Sequence, residues 1–255
     1  MIRYVDDIMQ TVLSTLVSQD NIYACRIACL LKSYGIGYPF LSFYIQTDEN
    51  SNAVSAVSEY YSDMTVMLTQ DSDIAELVQF LEMRGFSSVL SEKKLFPELP
   101  CEEGVVMRLE NRERLLNARC HDKLILNIQP DPGKIWRLLK SCEDESFHVP
   151  EYEDFLPDMS HKIRHGTALC ASAEYQSRTV GTAMTVAQSE SCAVIGAVCA
   201  SKELQRTGIG SFCMRELCCR LGGRTIYIMR SRDENEGFYS SLGFENRESF
   251  YITKR

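Results

Sequence analysis

"LQRTGIGSF" (204–212) is the stretch on which the reading of this sequence turns. It lies between a continuously apolar run, "CAVIGAVC" (192–199), and the segment "GIGSFCMRELCCRLGG" (208–223). The apolar run has the character of a strand buried on both faces. In the later segment Ile209, Phe212, Cys213, Leu217 and Leu221 form an apolar stripe, so a docked helix begins near Gly208. A helix N-terminus exposes backbone N–H groups that lack intrahelical partners, and these donors with the helix dipole attract anions. Gly208 and Gly210 permit close approach of backbone to a ligand, and Arg206 adds a positive charge. The spacing has neither the Gly-Lys-Ser/Thr of a Walker loop nor the G-x-G-x-x-G of a dinucleotide site. On the two glycines alone, an ordinary turn is the simpler reading.

Outward from this stretch the second half of the chain alternates clearly. "LILNIQ" (124–129) reads as a strand, and "PGKIWRLLKSC" (132–142) as a helix with proline in its first turn. "EDFLPDMSHKIRHG" (153–166) reads as broken by Pro157 and then helical. "ALCASAEY" and "RTVGTAMTVAQ" are strands joined by a short polar turn. After the central helix come a strand "TIYIM", a short helix "ENEGFYSSLGF" and a last strand "ENRESFYIT". The order is β-α-α-β-β-β-α-β-α-β, an α/β layout with a mixed sheet. The first half begins with helical patterning over Val5–Leu16 and Ile22–Ser33, broken by "YGIGYP". Strand-like runs follow at 40–46, 53–61 and 64–69, then a capped helix in "QDSDIAELVQFLEMRGF" ending at Gly85. A strand "SSVLSEK", a loop "ELPCEEG" (98–104) and a strand "VVMRLEN" complete it, and the polar segment 111–123 reads as a link. The segments 77–93 and 237–253 both read helix, Gly-Phe, strand, through a structural repeat or by coincidence.

The 255 residues suit one large or two ordinary domains. The early acids and the lack of a long apolar run argue against a signal peptide, and no stretch is apolar enough to span a membrane. The eleven cysteines form no Cys-x-x-Cys and mostly lie in apolar runs, among them Cys25, Cys29, Cys170, Cys192, Cys199, Cys213 and Cys218. Free thiols in a reducing cytoplasm are the expectation. Net charge is −8, and residues 1–112 hold 8 Lys/Arg against 16 Asp/Glu. Nucleic acid is a poor partner for such a chain. The charge step suggests a boundary between an acidic α/β domain of unknown role, 1–115, and a second domain, 116–255.

Gln205-x-x-Gly208-x-Gly210 after a buried strand resembles motif A of the GNAT N-acetyltransferase superfamily. "NEGFYSSLGFE" (235–245) resembles the family's C-terminal motif: an Asn-led short helix, then Phe-Tyr, then Leu-Gly-Phe. The resemblance covers the C-terminal half and leaves the first ~115 residues as a possible degenerate GNAT-like half. It implies a mixed, splayed sheet flanked by helices, with acetyl-CoA as co-substrate. Backbone amides of Arg206, Thr207, Gly208, Ile209, Gly210 and Ser211 would then hold the pyrophosphate. Ala197, Val198 and Cys199 would pair with the pantetheine arm like an added strand. Gly196 would suit a bulge or a close ligand approach. Asn235 would bond the same arm, with N-capping as its other role. Tyr239 would protonate the leaving thiolate. The glutamate that some members carry on the fourth strand is absent, since Cys192 stands there; Glu190, two residues earlier, could act as a base through water.

The implied reaction is transfer of the acetyl group to a primary amine by direct attack. The acceptor would be a small molecule or peptide, and the acidic first half could draw in a polyamine, an aminoglycoside or a basic peptide. The alternative is a GNAT-fold module that binds acyl-CoA or a protein without turnover. A homodimer is compatible with either. His161 and His165 share a helical face, but no third ligand is evident and no metal is expected. Trp136, Phe147, Tyr152 and Phe155 could shape the acceptor site or simply pack.

Overall fold

Asp6 sets where the first helix starts. Its Oδ1 accepts the backbone N–H groups of Ile8 (3.1 Å) and Met9 (3.0 Å), which satisfies the turn and delays the helix to Gln10. Val5–Leu16 is therefore not one helix. A strand β1 (Ile2–Tyr4) precedes the turn, and the helix α1 is Gln10–Leu16. The structure is a computed structural model, and it describes all residues except 122, 145, 146 and 233.

The first half continues with α2 (Ile22–Tyr34), β2 (Leu41–Thr47), β3 (Ala53–Tyr60), β4 (Asp63–Leu68), α3 (Ile74–Arg84), β5 (Ser88–Ser91) and β6 (Cys101–Leu109). A short helix α4 (Arg112–Leu116) stands where a plain link was expected, nucleated by Asn111, whose side chain accepts from the Arg114 N–H. The second half runs β7 (Ile125–Asn127), α5 (Pro132–Cys142), α6 (Tyr152–Arg164), β8 (Cys170–Tyr175), β9 (Arg178–Gln188) and β10 (Cys192–Ala200). It ends with α7 (Ile209–Leu221), β11 (Thr225–Ser231), α8 (Glu236–Ser241) and β12 (Phe244–Lys254). Pro157 does not break α6. The carbonyl that it leaves without a donor belongs to the exposed Glu153, where water can serve. The loop expected at 98–104 shortens, because Cys101–Gly104 pairs with β12.

Both halves thus run strand, two helices, three strands, helix, two strands, with α8 as an addition in the second. The described strands form one twelve-stranded sheet in the order β1-β2-β3-β4-β5-β12-β6-β11-β10-β9-β8-β7. Only β4/β5 and β10/β11 are parallel. The two halves exchange their last strands: β6 of the first pairs with β11, and β12 of the second pairs with β5. β6 and β12 pair with each other across the centre, from Phe244↔Leu109 to Thr253↔Cys101. The segments 77–93 and 237–253 hold α3–β5 and α8–β12, which occupy different places in the repeated order. The repeat is real, but its counterpart to α3–β5 is α7–β11.

Packing also crosses between the halves. α2 lies on β9 and β10, and its residues Ile22, Cys25 and Ile27 share one core with Ala187, Cys192 and Val194. Each such fully buried aliphatic side chain contributes about 1.5–3 kcal/mol. The Cys25 thiol donates to the Cys192 carbonyl (3.5 Å) and the Cys29 thiol to the Thr167 carbonyl (3.5 Å). Six of the seven cysteines expected in the core are buried; Cys199 is only partly so. On the opposite face α7 packs Cys213, Leu217 and Leu221 against Ala193, Ile195, Ile226 and Ile228.

Candidate active site

β10 and β11 pair only from Cys192–Ile195 to Thr225–Ile228. Beyond that point Met229–Ser231 continue beside β6, while residues 196–200 stay with β9. The strands splay and leave two facing edges without backbone partners. At the mouth of this gap β10 is bulged. Gly196 faces Met184 and Cys199 faces Thr182, so three steps on one strand meet two on the other, and Ala197 takes a left-handed φ of 49°. A non-glycine residue held there is strained and turns backbone groups out of the ladder. The bulge sits at Ala197, one residue after the expected glycine. Gly196 is explained by packing, because a Cβ there would lie 2.6 Å from Cγ1 of Val186.

α7 begins at this end of the gap. Its N-cap Gly208 has φ 92° and supplies no capping side chain. The first intrahelical bond is Phe212 N–H to Gly208 O (3.0 Å), and the N–H groups of residues 206–211 find no acceptor among the described residues. Arg206 is itself left-handed (φ 61°), and the Thr207 hydroxyl donates to the Leu204 carbonyl (2.6 Å). The loop is an uncapped helix N-terminus with a cation in it, a ready anion site. Internal packing also constrains both glycines. A Cβ on Gly208 would lie 2.7 Å from the Arg119 carbonyl oxygen, and one on Gly210 would lie 3.2 Å from Cζ of Phe238.

That last contact ties the two motifs together, since Phe238 belongs to α8. Asn235 is the N-cap of α8 in a left-handed conformation (φ 57°), and its side chain makes no cap hydrogen bond. Next to Phe238, Tyr239 packs edge-on to Phe244 (6.0 Å). Its hydroxyl has no hydrogen-bond partner among the described residues. Burial pushes the Tyr239 phenol up to about 12, against a smaller downward pull from Arg230. It is therefore protonated at neutral pH.

Arg230 is the residue that sequence reasoning missed. It lies on β11 with its side chain 4% exposed. Nη1 donates to the carbonyls of Ser231 (3.0 Å), Glu234 (3.4 Å) and Arg232. Nη2 donates to Asn246 Oδ1 (3.2 Å) and pairs with Glu236 (3.0 Å). This buried cation ties the start of α8 to β11 and β12, and so fixes the helix that carries Tyr239. The signal was a lone arginine at the end of an apolar strand, "TIYIMR".

Glu190 is not brought to this gap. It is exposed in the turn before β10, at the opposite end of the strand from the bulge, roughly 20 Å away at about 3.3 Å per residue. His161 and His165 stack on one another (4.2 Å), and His161 Nε2 bonds the Ser33 carbonyl oxygen (2.7 Å). Phe155 is core, and Trp136 donates from Nε1 to the Pro150 carbonyl (3.0 Å). No helix among the described residues is long and apolar enough to cross a membrane.

Residues 133–244 match the family model of the acetyltransferase (GNAT) family. No curated protein sequence matches the chain. A Drosophila protein structure aligns over 100% of this chain and 98% of its own, with TM-score 0.67 and 11% identity. A GCN5-related N-acetyltransferase from Sphaerobacter thermophilus aligns over 100% and 95%, with TM-score 0.63 and 13% identity. A tandem GNAT protein from the clavulanic acid biosynthesis pathway aligns over 100% and 98%, with TM-score 0.61 and 11% identity. At these identities the structures speak to fold, and they extend the likeness to the first half. Residues 133–244 thus carry a domain that matches the GNAT acetyltransferase family, within a chain folded as two GNAT-like halves.

Proposed function

We propose that the second half, residues 116–255, moves an acetyl group from acetyl-CoA to a primary amine. The observation that carries this is the meeting of an uncapped, glycine-led helix N-terminus with the bulged mouth of a strand splay. Amides of Arg206 to Ser211 take the pyrophosphate. The free edge at Ala197, Val198 and Cys199 pairs with the amide-bearing pantetheine. Asn235, whose side chain caps nothing, is available to the same arm. The amine attacks the thioester carbon as its neutral form, the carbon–sulfur bond breaks, and the thiolate takes a proton from Tyr239. Burial of that phenol keeps the proton in place until the thiolate forms. The amine's own proton leaves through water, since Glu190 lies at the far end of β10.

Residues 1–115 act in this reading as scaffold and as one wall of the acceptor cleft, with no coenzyme of their own. The second reading, an acyl-CoA-binding module without turnover, is favoured by one observation: no carboxylate from the turn before β10 reaches the gap. Steady-state thiol release from acetyl-CoA with a panel of amines separates the two. Turnover with any amine supports transfer, and coenzyme binding without turnover on every amine overturns it.

A further inference from the structure

On the α5 side of the loop 201–204 lies a groove of about 700 Å³ between α5, the β8–β9 turn and that loop. Lys134 and Arg137 enter it from α5, Arg178 from the start of β9, and Lys202 from the loop. All four are exposed, and none has a side-chain hydrogen bond or ion pair among the described residues. Apart from Glu203, neighbouring carboxylates on these elements are engaged elsewhere. Asp131 accepts from the Gly133 N–H (2.8 Å), Glu174 from Asn127 (3.0 Å), and Glu143 pairs with Lys140 (2.9 Å). Among the described residues Glu203 is the one acid lining the groove. In a chain of net charge −8, four cations of one sign around a single hollow repel one another with little to offset them.

Helix stability does not explain the arrangement. Lys134 stands in the first turn of α5, where the dipole disfavours a cation, and that turn carries no acid. A second feature lies at the wall of the groove, on its lining residue Ser201. The Ser201 hydroxyl oxygen is buried and has no hydrogen-bond partner among the described residues, while the Ser201 N–H is spent on the Val180 carbonyl (2.8 Å). A buried hydroxyl without a partner is unfavourable, and a small turn of the Ser201 side chain toward a ligand oxygen in the groove would relieve it. The groove also adjoins the candidate active site: Ser201 follows β10 directly, and the thiol of Cys142, next to the groove residue Ser141, donates to the Ala200 carbonyl (3.4 Å).

We infer that this groove binds a phosphate or carboxylate group of the acetyl acceptor, so that the preferred acceptor is an amine carrying an anionic group. The inference rests on the transfer reading above for the word acceptor, and on the groove alone for the anion. It runs against the expectation that the acidic first half selects a polycation.

The test uses the full chain saturated with CoA, so that the α7 N-terminus is occupied, and inorganic pyrophosphate as the probe in calorimetry. Saturable binding is expected, weakened at least tenfold in the Arg137→Gln/Arg178→Gln double variant, with CoA affinity within twofold of the parent. Both positions are exposed, and an unchanged Tm checks the fold. Absence of saturable binding, equal binding in the variant, or a parallel loss of CoA affinity would each overturn the site, the last because the groove would then belong to the coenzyme. In a second arm, phosphoethanolamine should show a KM at least tenfold below that of ethanolamine, an advantage the double variant erases. Equal use of both amines overturns the acceptor assignment. Pyrophosphate binding as expected with neither amine acetylated supports the anion site and counts against transfer.

Discussion

The two halves of this chain share an order of elements but treat the start of their central helix in opposite ways. In the first half α3 is closed. Asp73 caps it by accepting the Glu76 N–H (3.1 Å), and Gln46 holds Asp73 and Glu76 through Nε2 (2.9 and 2.8 Å). Two carboxylates therefore stand where an anion would have to bind. In the second half α7 is open, with glycine at the N-cap, no acid in its first turn and Arg206 beside it. The parallel pair of the first half also stops early, at Thr65↔Leu90, but there β5 itself ends at Ser91. β10 carries a bulge beside its splay, while β4 pairs with β3 without one. One order of elements thus carries a capped helix start in one half and an uncapped one in the other, and the difference lies in a few residues at the helix start.

The largest expected effect tests whether the halves are separable. A fragment of residues 119–255 lacks β6, so β11 and β12 lose the strand that lies between them. It should be insoluble or associated and bind no acetyl-CoA, and co-expression with 1–118 should restore binding. A soluble, monomeric and active fragment would show that the strand exchange is dispensable.

Tyr239→Phe comes next. Removing only the hydroxyl should lower kcat about 100- to 10,000-fold, with the coenzyme KM nearly unchanged. Because burial holds the phenol up to about 12, the parent should keep its activity beyond pH 10 instead of losing it near the ordinary tyrosine value. Turnover within threefold of the parent in the variant removes the general-acid role.

A gentler probe converts the open helix toward the closed one. Ser211→Glu places an acid in the first turn of α7, which favours the helix dipole and opposes a phosphate. Acetyl-CoA affinity should fall roughly 10- to 100-fold by titration, with Tm unchanged or slightly raised. Unchanged affinity would detach the coenzyme from this helix. Valine at Gly208 is a poorer test, because its side chain would strike the backbone at Arg119 and confuse folding with binding.

The smallest effect lies in the first half. Asp73→Ala should cost about 1 kcal/mol in denaturant unfolding through loss of the α3 cap, with no change in acetyl-CoA binding. A change in coenzyme affinity would mean that the closed helix contributes to the site.

Much of this was legible in order and pattern. The α7 stripe, the glycine that ends α3, the proline that opens α5 and the strand series of the second half follow from periodicity and capping, which are local. The glycine-led start of α7 was legible because an uncapped helix start is a short-range feature. What escaped the sequence is set by contacts between distant segments. The exchange of β6 and β12 depends on which of several similar edges each strand meets. The reason for Gly196 is Val186 on the next strand, and the reason for Gly208 is backbone near Arg119. The separation of Glu190 from the gap follows from the length of β10 and the end at which the strands splay. Arg230 acquired its role because folding buries it among five oxygen acceptors, which no spacing announces. The sequence by itself determined that one helix would start open, on a glycine, and the other closed by a capping side chain. Only the tertiary structure decided that the open one faces a splayed, bulged strand pair, because backbone capping is local whereas strand partners are chosen across the whole chain.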